Sequence, residues 1–248
     1  MGYVFDFKVS CEYQHLMSLP ASRAIVDHEC RLMLEMLNPL PGKTILDIGC
    51  GLGMNFSPLL SEGLQITGID PSPYMLDIAK KKAANRIDLH RGYAEDLPFE
   101  DNSFNYACLT TTLEFVEDPQ RAIEEACRIA KDRIFLGFIN RYAINGIQLR
   151  LKGVFTKTIY NHARFFSVWE LKRIVRTLMG DVPVSWRTAC QLPQGFGGVA
   201  EKIEKIGAVQ RCPFGAYAGM LVSLVPRFRT KPIPLGYRPK RRTGVVTG

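Results

Sequence analysis

Asp47, Gly49, Gly51, Gly53, Asp70 and Glu114 are the positions at which this sequence offers chemistry. The first four stand in residues 44–53, TILDIGCGLG, where an acid precedes glycines at every second position. Glycine lets a backbone approach a ligand closely and adopt positive φ. If a helix follows, its first N–H groups are free to donate. An acid at the strand tip before such a turn repels a pyrophosphate and attracts a ligand ammonium group. Asp70 lies about 20 residues beyond the glycines, where a mononucleotide-binding half places an acid for ribose hydroxyls. A carboxylate can accept both vicinal hydroxyl protons, whereas an amide accepts only through its oxygen. The spacing therefore describes a nucleotide-type site.

Glycine spacing narrows the ligand. A dinucleotide turn, G-x-G-x-x-G, needs glycine at position 54, and Met54 stands there. A phosphate-binding P-loop is excluded because no Gly-Lys-Ser/Thr follows. The pattern resembles motif I of the class I S-adenosylmethionine (SAM)-dependent methyltransferases. Residues 69–83 (IDPSPYMLDIAKKKA) resemble motif II of that family, and residues 94–99 (AEDLPF) resemble its loop beside adenine. The order of segments is similar to the type 11 methyltransferases, related to quinone-biosynthesis enzymes. The resemblance covers roughly residues 10–225 and is most specific in residues 44–115.

This resemblance implies a set of site residues. SAM would lie against Tyr13, Asp47, Gly49, Cys50, Gly51, Gly53, Asp70, Pro71, Met75, Ala94, Glu95 and Thr110, with Asp47 near its methionine end and Met75 against adenine. Tyr13 is the candidate for an aromatic that folds over the pocket. Glu114 is the acid best placed to position an acceptor or take its proton, and its alternative role is a carboxylate held by helix-start N–H groups. One departure concerns adenine. The family usually has Asp or Asn before Ala94, where this chain has Tyr93, so Glu95 or backbone carbonyls are the candidates to read the adenine amino group. No metal ligand set and no catalytic triad is expected.

The elements that must position these residues are legible as alternating strands and helices. Apolar residues at helical spacing over 23–37, with Ser22 as N-cap, predict a helix that stops at the Asn-Pro-Leu-Pro-Gly of 38–42. Strands are expected from Thr44 and over 65–69, 87–90, 104–109 and 133–139, with helices after residues 56, 72 and 118, the last carrying Pro119 in its first turn. Ser167 caps a further predicted helix to Met179. A sixth strand over 182–187, a helix over 195–206 and a closing strand over 219–224 complete the pattern. Residues 1–22 hold Tyr3, Phe5, Phe7 and Tyr13 without clear periodicity. The expected fold is a doubly wound, mostly parallel α/β sheet, Rossmann-like, with seven strands on the family's pattern.

Composition sets the remaining bounds. The 248 residues, 46% hydrophobic and 23% charged, suit one large α/β domain. Seven cysteines include no C-x-x-C pair, which suggests reduced thiols in a cytoplasmic protein rather than zinc or disulfides. No signal peptide or bilayer-spanning run is visible. The net charge of +8 is concentrated after Pro226, where seven Lys and Arg stand with no acid. Residues 1–226 are therefore expected to form the methyltransferase domain and residues 227–248 a basic, disordered tail. Within the domain, residues 140–166 alternate basic and apolar side chains without an acid. They read as a lid or substrate wall, suited to an acidic or partly apolar acceptor or a membrane surface. Such a chain would move the sulfonium methyl group of SAM to a small molecule by in-line displacement. The alternatives are methylation of RNA, drawing on the basic tail and insertion, and a SAM-binding sensor or assembly protein that transfers no methyl group.

Overall fold

A computed structural model of the chain describes residues 2–83, 86–143, 162–189 and 207–224. The elements run α1 (Phe7–Ser18), α2 (Pro20–Leu37), β1 (Thr44–Ile48), α3 (Phe56–Ser61), β2 (Gln65–Asp70), α4 (Pro73–Ala83), β3 (Asp88–Arg91), β4 (Phe104–Thr110), α5 (Pro119–Ile129), β5 (Ala130–Ile139), α6 (Val168–Met179), β6 (Val184–Ala189), α7 (Gly207–Gln210) and β7 (Tyr217–Ser223). They build one seven-stranded sheet in the order β3-β2-β1-β4-β5-β7-β6. All pairs are parallel except those of β7, which runs antiparallel to β5 and to β6. This is the doubly wound sheet expected from the alternation of segments.

β1 sits at the centre because its side chains suit burial on both faces. Leu46 and Ile48 pack with Ala107, Leu109, Leu136 and Ala122 on the face covered by α5 and α6. Ile45 packs with Met33, Leu37, Leu59 and Phe135 on the other, under α2 and α3. A strand with both faces covered reads as a continuous apolar run, and that removal from water is the main stabilising term of the sheet. The reversal of strand order lies between β1 and β4, so the carboxyl ends of β1, β2 and β4 open into one crevice, the usual ligand position of such sheets.

Several boundaries differ from the sequence reading. α2 begins at Pro20, which occupies the first helical turn, so Ser22 lies inside the helix and caps nothing. α1 was not legible as a helix at all. Its N-cap is Asp6, whose carboxylate accepts from the Val9 amide at 2.8 Å, but its apolar residues form only a weak stripe. β5 starts at Ala130, three residues before the expected Arg133. Ser167 caps its helix as expected, accepting the Glu170 amide, and the helix expected at Asp118-Pro119 starts there, with Asp118 accepting the Gln120 and Arg121 amides. The expected helix over 195–206, the tail over 227–248 and most of the expected lid, residues 144–161, lie outside the described residues. The two flanks of the lid segment are joined: Asn140 pairs with Phe166, and Arg141 donates to the Phe165 carbonyl at 2.6 and 2.9 Å.

Candidate active site

The crevice is a cavity of about 1040 Å³ of empty space, part of it open to solvent. Its floor is the turn after β1. Gly49, Gly51 and Gly53 all take positive φ, at 70°, 50° and 68°. Each has a different reason. A Cβ on Gly49 would collide with the Thr112 side chain, and a Cβ on Gly53 would come within 2.5 Å of the Phe56 ring. At Gly51 a Cβ would meet nothing closer than 3.9 Å, so this glycine leaves open space on the cavity wall.

Asp70 ends β2 beside this turn. Its Oδ2 accepts from the Gly51 amide and its Oδ1 from the Ser72 amide, both at 2.9 Å. Each oxygen keeps a further lone pair, and the residue lines the cavity. Burial lifts its pKa to about 6 even though the two amides pull it down. Ser72, not Asp70, serves α4: its hydroxyl accepts from the Met75 amide at 3.3 Å and donates to the Phe5 carbonyl at 2.6 Å.

Of the residues singled out by sequence, Tyr13, Gly49, Cys50, Gly51, Asp70, Pro71, Met75, Ala94, Glu95 and Thr110 all line this one cavity. Three do not. Gly53 faces Phe56. Asp47 is 1% exposed and stands behind the wall. There it accepts from Asn55 Nδ2 at 3.2 and 3.3 Å and from the Cys108 thiol at 3.3 Å. Burial raises its pKa to about 6. Glu114 is equally buried, in the loop after β4 rather than at a helix start. Its Oε1 accepts from the Ile139 amide at 2.6 Å, tying the ends of β4 and β5, and its Oε2 has no partner among the described residues. Burial raises this carboxyl to about 7.

Glu95 and Tyr93 both reach the wall. One oxygen of Glu95 accepts from the Glu117 amide at 2.9 Å, joining the residue 94–99 loop to the start of α5. That loop is braced from below by Arg128, which donates to the carbonyls of Leu97 and Phe99 at 2.9 and 2.7 Å and pairs with Glu125 at 2.7 Å.

Sequence reasoning did not find the N-terminal wall or two polar residues of the floor. Residues 2–5 lie across the cavity, fixed by Tyr3 N–H donating to the Phe115 carbonyl at 2.8 Å. Their rings form an aromatic group: Phe5 packs edge-on against Tyr13 at 5.7 Å and Phe115 at 5.1 Å, and Tyr3 stacks on His162 at 4.4 Å. Asn55, which holds Asp47, and Glu29 of α2 also line the cavity. The aromatic richness of residues 1–22 was the available signal for the first. Neither Asn55 nor Glu29 belongs to a recognisable spacing.

Comparison with known proteins agrees with this geometry. A family model described as a methyltransferase domain matches residues 46–136. The demethylmenaquinone methyltransferase of Renibacterium salmoninarum is 34% identical over 101 residues, 41% of this chain and 42% of that protein. An uncharacterised protein of Methanocaldococcus jannaschii is 35% identical over 135 residues, 54% of this chain and 62% of that one. The chain thus spans about half the length of these relatives. Among solved structures, a SAM-dependent methyltransferase of Thermotoga maritima, described as a possible histamine N-methyltransferase, superposes with a TM-score of 0.63 at 25% identity, covering 87% of this chain and 96% of that one. A magnesium protoporphyrin IX methyltransferase from Synechocystis, solved with S-adenosylhomocysteine (SAH), shares the fold at a TM-score of 0.57 and 17% identity, over 91% and 90% of the two chains. In residues 46–136 the chain therefore carries a methyltransferase domain, set in the sheet of the class I SAM-dependent methyltransferases.

Proposed function

We propose that the protein binds SAM in this cavity and transfers its methyl group to a small-molecule acceptor. The observation that carries the reading is the Asp70 carboxylate, held by the Gly51 and Ser72 amides with a lone pair of each oxygen left for a ribose diol. The wall fits the rest of the nucleoside: Gly51 leaves space for it, and Met75, 2% exposed, offers an apolar edge to a flat base with Ala94. When bound, SAM supplies an electrophilic methyl group on a sulfonium, already activated for displacement. The chain's own contribution is to align the acceptor and exclude water. The N-terminal residues that cross the cavity serve the second task.

Tyr3, Phe5, Tyr13 and Phe115 make the acceptor side aromatic, which suits a small acceptor with a flat or apolar part. The name of the Renibacterium relative, a demethylmenaquinone methyltransferase, supports a quinone-like member of that class. Glu114 is proposed to position the acceptor side from behind, through the Ile139 amide, rather than to touch it. The RNA reading draws on the tail and on an insertion of which residues 144–161 lie outside the described residues, and no described feature favours it. The test is conversion of SAM to SAH by the purified protein with quinol and other small aromatic acceptors, alongside Asp70→Ala. Turnover with wild type and severely weakened SAH binding in the variant are expected. SAH binding of undiminished strength in Asp70→Ala would remove the basis of the assignment.

A further inference from the structure

The ammonium group of a bound SAM needs an anionic partner, and the acid that the sequence offers for it is not on the wall. Asp47 lies behind Asn55, with both oxygens engaged by Asn55 and one also by Cys108. Asn55 itself is spent on both sides, donating to Asp47 and accepting from the Cys30 thiol at 3.4 Å. The next residue along α2 from that thiol is Glu29, half-buried and on the cavity wall.

We infer that Glu29 is the carboxylate that receives the α-ammonium group of SAM, an inference that rests on the SAM reading of the cavity. Its position is one argument: it lines the same cavity as the glycine turn and Asp70, and it is the chain neighbour of Cys30, whose thiol donates to Asn55 just past that turn. Its lack of a basic partner among the described residues is another. No lysine, arginine or histidine is among the described residues of the wall, and no described group hydrogen-bonds to Glu29. Burial and the nearby Glu114 charge raise its pKa to about 8, so the charged form lacks a counter-ion that a bound ammonium would provide. An unpaired half-buried acid is costly unless it serves a ligand. Behind the wall, Glu114 and Tyr217 lie close enough to Glu29 to interact with it electrostatically, and Glu114 Oε2 and the Tyr217 hydroxyl are buried without partners among the described residues.

The experiment is calorimetric titration of the full chain with SAH and with the analogue in which hydrogen replaces the α-amino group, for wild type, Glu29→Gln and Asp70→Ala. Wild type should prefer SAH by about tenfold or more, the size of one hydrogen bond to a charged group. Glu29→Gln should erase that preference while binding the deaminated analogue within about twofold of wild type. Asp70→Ala should weaken both ligands and keep the ratio between them. If wild type does not discriminate, or if Glu29→Gln still discriminates or loses both ligands equally, the inference is overturned while the functional reading stands. Failure of wild type to bind SAH at all would overturn both.

Discussion

The amide of Gly51 donates to the carboxylate of Asp70 at 2.9 Å, so the turn after β1 holds the acid at the tip of β2. Two features that are 19 residues apart in sequence become one site through this bond. It also constrains the titration of Asp70. Burial raises its pKa to about 6, and the bonds from Gly51 and Ser72 oppose that rise. Only the ionised carboxyl can accept from both hydroxyls of a diol while keeping these amides. The contribution of Asp70 to SAH affinity should therefore be full well above pH 6 and fall as pH drops through that value, by up to about tenfold per unit for one linked proton. Titration calorimetry from pH 5 to 8 checks this. In Asp70→Asn the affinity should be weaker at pH 8, and the part of the slope due to this residue should be gone.

The glycines of the turn should separate packing from binding. Gly53→Ala sets a methyl group against the Phe56 ring at positive φ. Overpacking and backbone strain together should cost about 1–3 kcal/mol in urea unfolding. Gly51→Ala meets open space, so its stability loss should be the smaller of the two, limited to strain at φ 50°. Its methyl group stands on the cavity wall, and SAH affinity should drop more than stability does. A Gly51→Ala protein that binds SAH normally would argue against the turn as a ligand cradle.

Arg128 is the brace of the 94–99 loop. Its removal leaves the buried Glu125 carboxylate without its 2.7 Å partner, although Arg121 remains at 3.5 Å. It also frees the carbonyls of Leu97 and Phe99. Arg128→Ala should destabilise by about 1–3 kcal/mol, the cost of leaving the Glu125 carboxylate short of a charged hydrogen bond in a part-buried pair. A thermal or denaturant melt measures that directly. Arg128→Lys should recover only part of it, since a lysine cannot span two carbonyls and a carboxylate in the arginine's fork geometry.

Stability should fall with rising pH. Asp47 and Asp70 are raised to about 6, Glu114 to about 7 and Glu29 to about 8, all chiefly by burial. With these carboxyls raised above their unfolded values, the folded chain holds protons that the unfolded chain has released. Their contribution is complete below the ordinary carboxylate range and is lost as pH rises from about 4 to 8. Urea unfolding of the ligand-free protein at pH 5 and pH 8 measures the loss. Glu114→Gln keeps a carbonyl for the Ile139 amide and carries no charge, so it should flatten the slope and be more stable than wild type at pH 8. A steeper slope in this variant would contradict the account.

Local chemistry explains which parts were legible in the sequence. The turn at 47–53, Asp70 at a strand end, the Ser167 cap, the helix start at Asp118-Pro119 and the strand cores follow from residue type and short-range spacing, and the structure keeps them. α1 was missed because Phe7, Val9 and Tyr13 give only a weak apolar stripe, and its Asp6 cap was overlooked among the aromatics. Asp47 and Glu114 were recognised as acids of interest, but sequence does not say whether an acid at a strand end faces a ligand or the chain behind it. Asn55 and Cys108 turn Asp47 inward, and the Ile139 amide does the same for Glu114. Glu29 comes to the wall only through the packing of α2 over the sheet, a relation between residues far apart in the chain.

The central claim is that the glycine turn and Asp70 form a SAM site rather than a dinucleotide site. Calorimetric titration of the purified protein with SAH and with NAD tests it most directly. The account predicts micromolar binding of SAH and no heat from NAD. Binding of NAD without SAH would contradict it.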